Sequence, residues 1–220
     1  MGVGTESVRR GERPGERESL RPLVVATVAA LSVRGGELCC LLQPGASTPW
    51  RLPSHTLPPG RTLEQTARES LEPLLGPAEI HLVQLQAWLR PSRDPDGELE
   101  IGYLSLSAAG APPAAGAQWW PVGRLPRLGA RQHDLLERAR RSLSRLVQET
   151  DAARYLVPAE FTLSDLQQVY EVVQCRALDK RNFRKWILAG GLLEATARER
   201  RDGAHRPARL HRFAERLPAD

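Results

Sequence analysis

Apolar positions along this chain follow two periods, and the switch between them marks out the elements. Val24 to Val33 (VVATVAALSV) is rich in β-branched residues and Ala, and Glu37 to Gln43 (ELCCLLQ) resumes after Gly35-Gly36. Two such runs across a two-glycine turn predict a β-hairpin. Ile80–Leu89 and Leu99–Ser107 predict two more strands, joined by the polar turn Ser92 to Gly97, and Gln118 to Val122 predicts a short fifth. Between them Pro58-Pro59-Gly60 breaks the chain, after which Thr62 and Gln65 have the spacing of a capping box. Leu63, Ala67 and Leu71 then share one helix face. Pro73 lacks an N–H and disfavours helix in the residue before it, so this helix is expected to end near Glu72. Residues 131–149 carry Leu135, Leu136, Ala139, Leu143 and Leu146 at helical spacing, which predicts a long amphipathic helix. Strands, a helix, strands and a helix in that order describe an α+β domain over residues 22–150.

Residues 150–160 contain Pro158 and no clear period, and the domain boundary is placed there. Beyond it the pattern is helical again. Thr162 caps a helix with Asp165 as its partner, and Leu163, Leu166, Val169, Tyr170 and Val173 form its apolar stripe. After a short turn Asp179 caps a second helix, with Phe183, Trp186 and Ile187 expected on its buried face. Lys180, Arg181, Asn182, Arg184 and Lys185 are left for its outer surface, and Gly190-Gly191 stops it. Leu192–Ala197 and Pro207–Phe213 predict a hairpin around the basic turn Arg200 to His205. Two capped helices joined by a tight turn and followed by a hairpin are a winged helix-turn-helix, expected over residues 151–220.

Charge sharpens this picture. The 220 residues carry a formal net charge of +5. From Arg176 to Arg212 eleven Lys and Arg face four Asp and Glu, so the excess is concentrated in this one segment. A duplex needs cations for its phosphates and donors for its base edges. Arg181, Asn182 and Lys185 are therefore expected at a groove, with Lys180 and Arg184 beside them and Thr162 at the start of the first helix. Arg206 and Arg209 of the hairpin are expected at phosphate or the minor groove. Cys39, Cys40 and Cys175 form no disulfide pattern and no C-x-x-C, which fits buried thiols in a reducing cytoplasm. No apolar stretch is long enough for a membrane span, and the polar tail 1–21 has no apolar core of a signal peptide. That tail is expected to be disordered. The five His show no ligand spacing, so neither a metal nor another cofactor is expected.

Trp50-Arg51-Leu52-Pro53 through Gly60 and Leu63 to Leu71 and Gly76 resembles the Nudix box and its lead-in. That box runs G-x5-E-x7-R-E-U-x-E-E-x-G-U, with U aliphatic. Aligned without gaps, its first Gly becomes His55, its early Glu becomes Arg61, its R-E becomes Glu69-Ser70, and its E-E becomes Pro73-Leu74. Leu71 and Gly76 survive. Nudix hydrolysis needs carboxylates on one helix face to hold Mg²⁺ against a diphosphate. Ser70 and Leu74 cannot supply them. Arg68-Glu69-Ser70-Leu71-Glu72 does contain R-E-x-x-E. Using it means deleting one helical residue, which turns the ligands by about 100°. A surface helix with a Glu64–Arg68 pair is the plainer reading.

Both halves together resemble the Nudix-related transcriptional regulators (NrtR), over about residues 22–213. The most specific strings are Pro158-Ala159-Glu160-Phe161-Thr162-Leu163, Leu178-Asp179-Lys180-Arg181-Asn182-Phe183-Arg184-Lys185 and His205-Arg206-Pro207-Ala208-Arg209-Leu210. The resemblance implies a Nudix-like α/β/α sandwich with a mixed sheet, followed by a small winged helix. It implies a homodimer that binds palindromic operators of NAD-metabolism or sugar-use genes, with ADP-ribose or a related nucleotide altering DNA affinity. Arg51, His55 and Arg93 are the effector-binding candidates it suggests, although His55 adds bulk where a diphosphate would approach. No catalytic residue is assigned. The alternative function is an active ADP-ribose pyrophosphatase using a displaced carboxylate set such as Glu64, Glu69 and Glu72.

Overall fold

The computed structural model describes residues 22–46, 48–76, 80–90, 97–110, 112–201 and 207–215. β1 (Leu23–Arg34) and β2 (Glu37–Pro44) form the expected hairpin, with Leu31 opposite Cys40 and Arg34 opposite Glu37. Gly35 and Gly36 both take positive φ, +55° and +78°, as a two-residue hairpin turn of this kind requires. β6 (Glu98–Leu106) lies parallel to β1, and β5 (His81–Arg90) lies antiparallel to β6. The sheet order is β3-β2-β1-β6-β5, with β3 (Trp50–Arg51) at one edge. β4 (Ser54–Thr56) pairs with β1, and β7 (Gln118–Pro121) pairs with β2. One parallel pair among antiparallel ones makes a mixed sheet.

Helices cover both faces of that sheet. Ala26, Val28 and Ala30 of β1, with Ile101 and Tyr103 of β6, pack against Ala67 and Leu71. The alternate residues Ala29, Leu31, Leu104 and Leu106 pack on the other side against Leu135, Leu136, Ala139 and Leu143 of α3 (Ala130–Glu149). A strand buried on both faces reads as a continuous apolar run, which is why β1 does not alternate in sequence. Gly102 marks how close α3 comes, since a Cβ there would lie 2.6 Å from Leu135 Cδ1.

The first helix is shorter than expected. α1 (Leu63–Glu69) starts at the Thr62–Gln65 capping box, then stops at Ser70. A second turn, α2 (Glu72–Leu75), follows with Pro73 in its first turn, where the missing N–H costs nothing. The break comes because Leu71 N–H bonds back to Arg68 O instead of continuing the α ladder. Leu71 can then point into the core beside Ala67.

Past α3 a 3-10 turn (Ala152–Leu156) leads into the C-terminal module. It comprises β8 (Phe161–Thr162), α4 (Leu163–Gln174), α5 (Lys180–Ala189), β9 (Leu193–Arg200) and β10 (Ala208–Phe213). Its sheet order is β8-β10-β9. A single buried cluster runs from Leu135, Leu143 and Val147 through Ala152, Leu156 and Phe161 to Leu166, Val169, Phe183 and Ile187. The segment where the sequence suggests a boundary is thus lined with core residues. Two expectations fail here. Trp186 is 50% exposed rather than buried, and Cys175 is exposed, while Cys39 and Cys40 are buried free thiols. No helix among the described residues is long and apolar enough to cross a membrane.

Candidate nucleic-acid interface and sensor cleft

α4 and α5 are held by reciprocal caps. Thr162 Oγ1 accepts from Asp165 N at 3.1 Å, and Thr162 N donates to Asp165 Oδ2 at 2.8 Å. The same carboxylate takes both terminal nitrogens of Arg200 at 2.9 Å, tying β9 to the start of α4. Burial would raise the Asp165 pKa, but Arg200 and the Thr162 amide and hydroxyl together hold it below the ordinary value. The turn into α5 is latched by Gln167 Nε2 donating to Leu178 O at 2.9 Å and by Leu178 N donating to Glu171 Oε1 at 2.8 Å. The Leu178 amide also draws the Glu171 carboxyl down. Asp179 Oδ1 then caps α5 by accepting from Asn182 N at 2.8 Å. These contacts fix the angle at which α5 is presented.

Phe183 and Ile187 are the buried side of α5. At about 100° per residue, their burial places Lys180 and Arg184 on one flank, Asn182 and Trp186 on the other, and Arg181, Lys185 and Leu188 facing outward. Lys180, Arg181, Asn182, Arg184 and Lys185 are all exposed. The first flank meets the wing in a groove of about 680 Å³ lined by Thr162, Ser164, Lys180, Arg184, Arg209 and His211, among others. Thr162 itself is 3% exposed and its hydroxyl is engaged as the helix cap. His211 is buried at the groove, and burial lowers its pKa, helped by Arg209 and Arg184 nearby and opposed by a hydrogen bond with the Arg209 backbone. Arg206 lies outside the described residues.

Not every cation counted in the sequence is free for a ligand. Arg198 pairs with Glu160 at 3.0 Å, Arg200 with Asp165 at 2.9 Å and Arg212 with Glu194 at 2.8 Å. Among the described residues Lys180, Arg181, Arg184, Lys185 and Arg209 have no ion-pair partner. Within the segment 176–212 four of these unpaired cations share α5 and Arg209 faces them from the groove side of the wing, while Arg176 and Arg201 stand exposed in the turns to either side.

A second cleft, of about 450 Å³, opens on the α3 side of the large sheet. Strand alternation brings Val25, Thr27, Glu98 and Glu100 to its floor, while Arg51, His55 and Gln132 form part of its wall. Arg51 and His55 are thus brought together; Arg93 lies outside the described residues. Arg51 Nη1 donates to Ser54 Oγ at 3.3 Å, and its Nε is buried with no partner among the described residues. Glu100 is 5% exposed and accepts from Thr27 Oγ1 at 2.7 Å. Leu52 N donates to Gln132 Oε1 at 3.1 Å. An alternating Glu-Leu-Glu-Ile strand is the signal in the sequence that could have located the floor; nothing pointed to Gln132.

The carboxylates of the Nudix-like helix are elsewhere. α1 packs on the opposite face of β1. Glu64 pairs with Arg68 at 2.9 Å, and Glu69 with Arg61 at 3.1 Å. Ser70 is buried and donates to Ala67 O at 2.7 Å. Glu72 is exposed at the start of α2. Among the described residues no three His, Cys, Asp or Glu side chains are grouped to share a metal ion.

Residues 153–213 match the family model described as the NrtR DNA-binding winged helix domain. The chain is 29% identical over 207 residues to the ADPR responsive transcriptional repressor NtrR of Acinetobacter baylyi, covering 88% of this chain and 82% of that one. In fold it is similar to Shewanella oneidensis NrtR, with a TM-score of 0.70 at 24% identity over 87% of this chain and 94% of that one. The same Shewanella protein solved with a 27mer DNA gives a TM-score of 0.68 at 22% identity, over 87% and 93% of the two chains.

Proposed function

We propose that this chain, which belongs to the NrtR family of Nudix-like domains fused to a C-terminal winged helix, is a DNA-binding transcriptional repressor that senses ADP-ribose or a related nucleotide. The observation that carries the reading is the set of exposed, unpaired cations on α5 beside the basic wing groove. Arg181, Asn182 and Lys185 project where a recognition helix meets base edges, and Arg can pair with guanine and Asn with adenine. Lys180, Arg184, Arg209 and Arg206 then serve the phosphates, and Thr162 holds the start of α4 against the backbone. Residues 151–220 form this reading module, and residues 22–150 form the sensor.

The cleft beside β1 supports the sensing role. Arg51 carries a buried donor with no partner among the described residues, suited to a phosphate, and Glu100, which already accepts from Thr27, brings negative charge to the floor beside it. Arg51, His55 and Arg93 are assigned to effector binding. The relative from Acinetobacter is itself named as ADPR responsive. No hydrolytic step is assigned, because Ser70 and Leu74 stand where the box needs metal-holding carboxylates. The protein acts in the cytoplasm as a homodimer on palindromic operators of NAD-metabolism or related genes.

Fluorescence anisotropy of a labelled duplex from the protein's own upstream region, with excess nonspecific DNA, tests this. Specific binding that weakens or strengthens with saturating ADP-ribose is the expected result. Specific binding indifferent to ADP-ribose and related nucleotides would remove the sensor assignment. Absence of any specific site in a genome-wide selection would remove the regulator.

A further inference from the structure

The effector cleft and the DNA-reading module are joined by one element, and each end of it makes a specific polar contact. α3 is 20 residues long, about 30 Å. Near its start Gln132 lines the cleft and accepts the Leu52 amide at 3.1 Å, one residue beyond Arg51. Near its end three hydrogen bonds lock Gln174 of α4 to it, and a fourth, within α3, braces them. Gln174 Nε2 donates to Ser144 O at 2.8 Å, Gln148 Nε2 donates to Gln174 Oε1 at 2.8 Å and to Ser144 O at 3.0 Å, and Ser144 Oγ donates to Gln174 Oε1 at 3.3 Å. Between the two ends α3 presents Leu135, Leu136, Ala139, Leu143 and Val147 to a core it shares with α4 and α5. A close-packed helix of this kind moves as a unit rather than bending.

Besides the cleft at its start, α3 has open space at its far end. Two grooves flank Trp186 there, of about 690 and 500 Å³, and both are lined by Gln148 of α3, Tyr170 of α4 and Trp186 of α5. At the near end Gly102 lets α3 rest directly on β6. The hairpin tip adds a second bearing, because Gly36 lies against Gln168 of α4.

We propose that Gln132 is a positioning residue through which occupancy of the cleft is passed along α3 to α4, and so to the angle at which α5 meets DNA. This rests on the sensing role proposed above. A ligand that engages Arg51 or the Leu52 segment competes with or reorients the Leu52–Gln132 hydrogen bond. The start of α3 shifts, and the Ser144–Gln148–Gln174 cluster carries the shift into the reading module. The two contacts are then energetically coupled, and coupling is reciprocal.

Reciprocity permits a test that needs no ligand. In the free full-length chain, Gln174→Ala is expected to speed hydrogen exchange of the Leu52 amide about fivefold or more, with Leu104 in β6 unchanged as the control for global unfolding. Gln174→Glu keeps an acceptor for Gln148 and Ser144 Oγ and turns the donor to Ser144 O into a repelling carboxylate oxygen, which breaks the cluster without the cavity left by alanine if that variant fails to fold. In parallel, Gln132→Ala removes the same hydrogen bond and should shift operator affinity in the direction in which saturating ADP-ribose shifts that of the parent chain, with little further change when ADP-ribose is added. Unchanged Leu52 exchange in both Gln174 variants overturns the proposal, as does a full ADP-ribose response in Gln132→Ala. If ADP-ribose leaves the parent chain's DNA binding unaltered while Gln174→Ala still accelerates Leu52, the coupling stands and it is the ADP-ribose assignment that falls.

Discussion

On α1 the charges answer one another, and on α5 they do not. Glu64 reaches Arg68 one turn along, Glu69 reaches Arg61 in the lead-in, and Arg68 also donates to Ile80 O at 3.0 Å. On α5, Lys180, Arg181, Arg184 and Lys185 stand exposed without acidic neighbours on their own helix. Exposed pairs such as those of α1 contribute little stability, yet they leave no net field for a ligand to use. Unpaired cations on one helix face repel each other mildly and attract a polyanion strongly. One helix has turned its charges to local structure; the other holds them for a partner. The acid needed to neutralise the wing is supplied selectively: Arg198, Arg200 and Arg212 are paired, and Arg209 is left facing the groove.

The contrast can be broken first where it predicts most. Arg181→Ala should weaken operator binding by about 1–3 kcal/mol and leave the melting temperature nearly unchanged, since the side chain is exposed. Equal affinity of the variant and the parent, compared by anisotropy at one fixed salt concentration, would show that α5 does not read bases. Asp165→Asn is expected to cost about 1 kcal/mol, because it weakens both the cap and the partly exposed pair with Arg200. The Asp165 pKa is depressed in the folded chain, so its contribution is complete above the ordinary carboxylate range and is lost as pH falls through the folded value. Thermal melts of parent and variant should therefore converge at acid pH; a constant gap from neutral to acid would contradict this. Glu69→Gln should change stability by less than about 0.5 kcal/mol. Incubation with Mg²⁺ and ADP-ribose checks the other side: turnover by the parent chain that vanishes in Glu69→Gln would restore the hydrolase reading.

Much of this contrast was legible in the sequence, because it depends on local chemistry. Both capping boxes form as the spacing of Thr62 with Gln65 and Thr162 with Asp165 indicates, and Asp179 caps α5. The glycine turn, the mixed α+β order and the basic face of α5 follow likewise from short-range pattern. What escaped was settled by contacts distant in sequence. Trp186 has the spacing of a core residue, but Tyr170 and Phe183 fill the interior edge-on at 5.4 Å from each other and leave its ring half outside. Leu71 ends α1 early by turning into the core beside Ala67. The cleft floor depends on β1 and β6 lying parallel, Val25 beside Glu100, across 75 residues of chain. Gln132 meets Leu52 across 80 residues, and no local pattern encodes that.

The cluster that runs unbroken from Leu135 to Ile187 bears on how such a protein can change over time. A chain assembled from a sensor and a reader is expected to exchange one half for another by cutting between them. Here a cut after α3 would strip Leu166 and Val169 of Leu143 and Val147, and a cut before it would bare the sheet at Leu104 and Leu106. Neither half keeps a closed interior without that helix. If α5 reads DNA as proposed, a new specificity is reached by substitution at its exposed positions, such as Arg181, Asn182 and Lys185, rather than by grafting a different winged helix. The helix proposed to couple the two halves is also the one that keeps them from being traded.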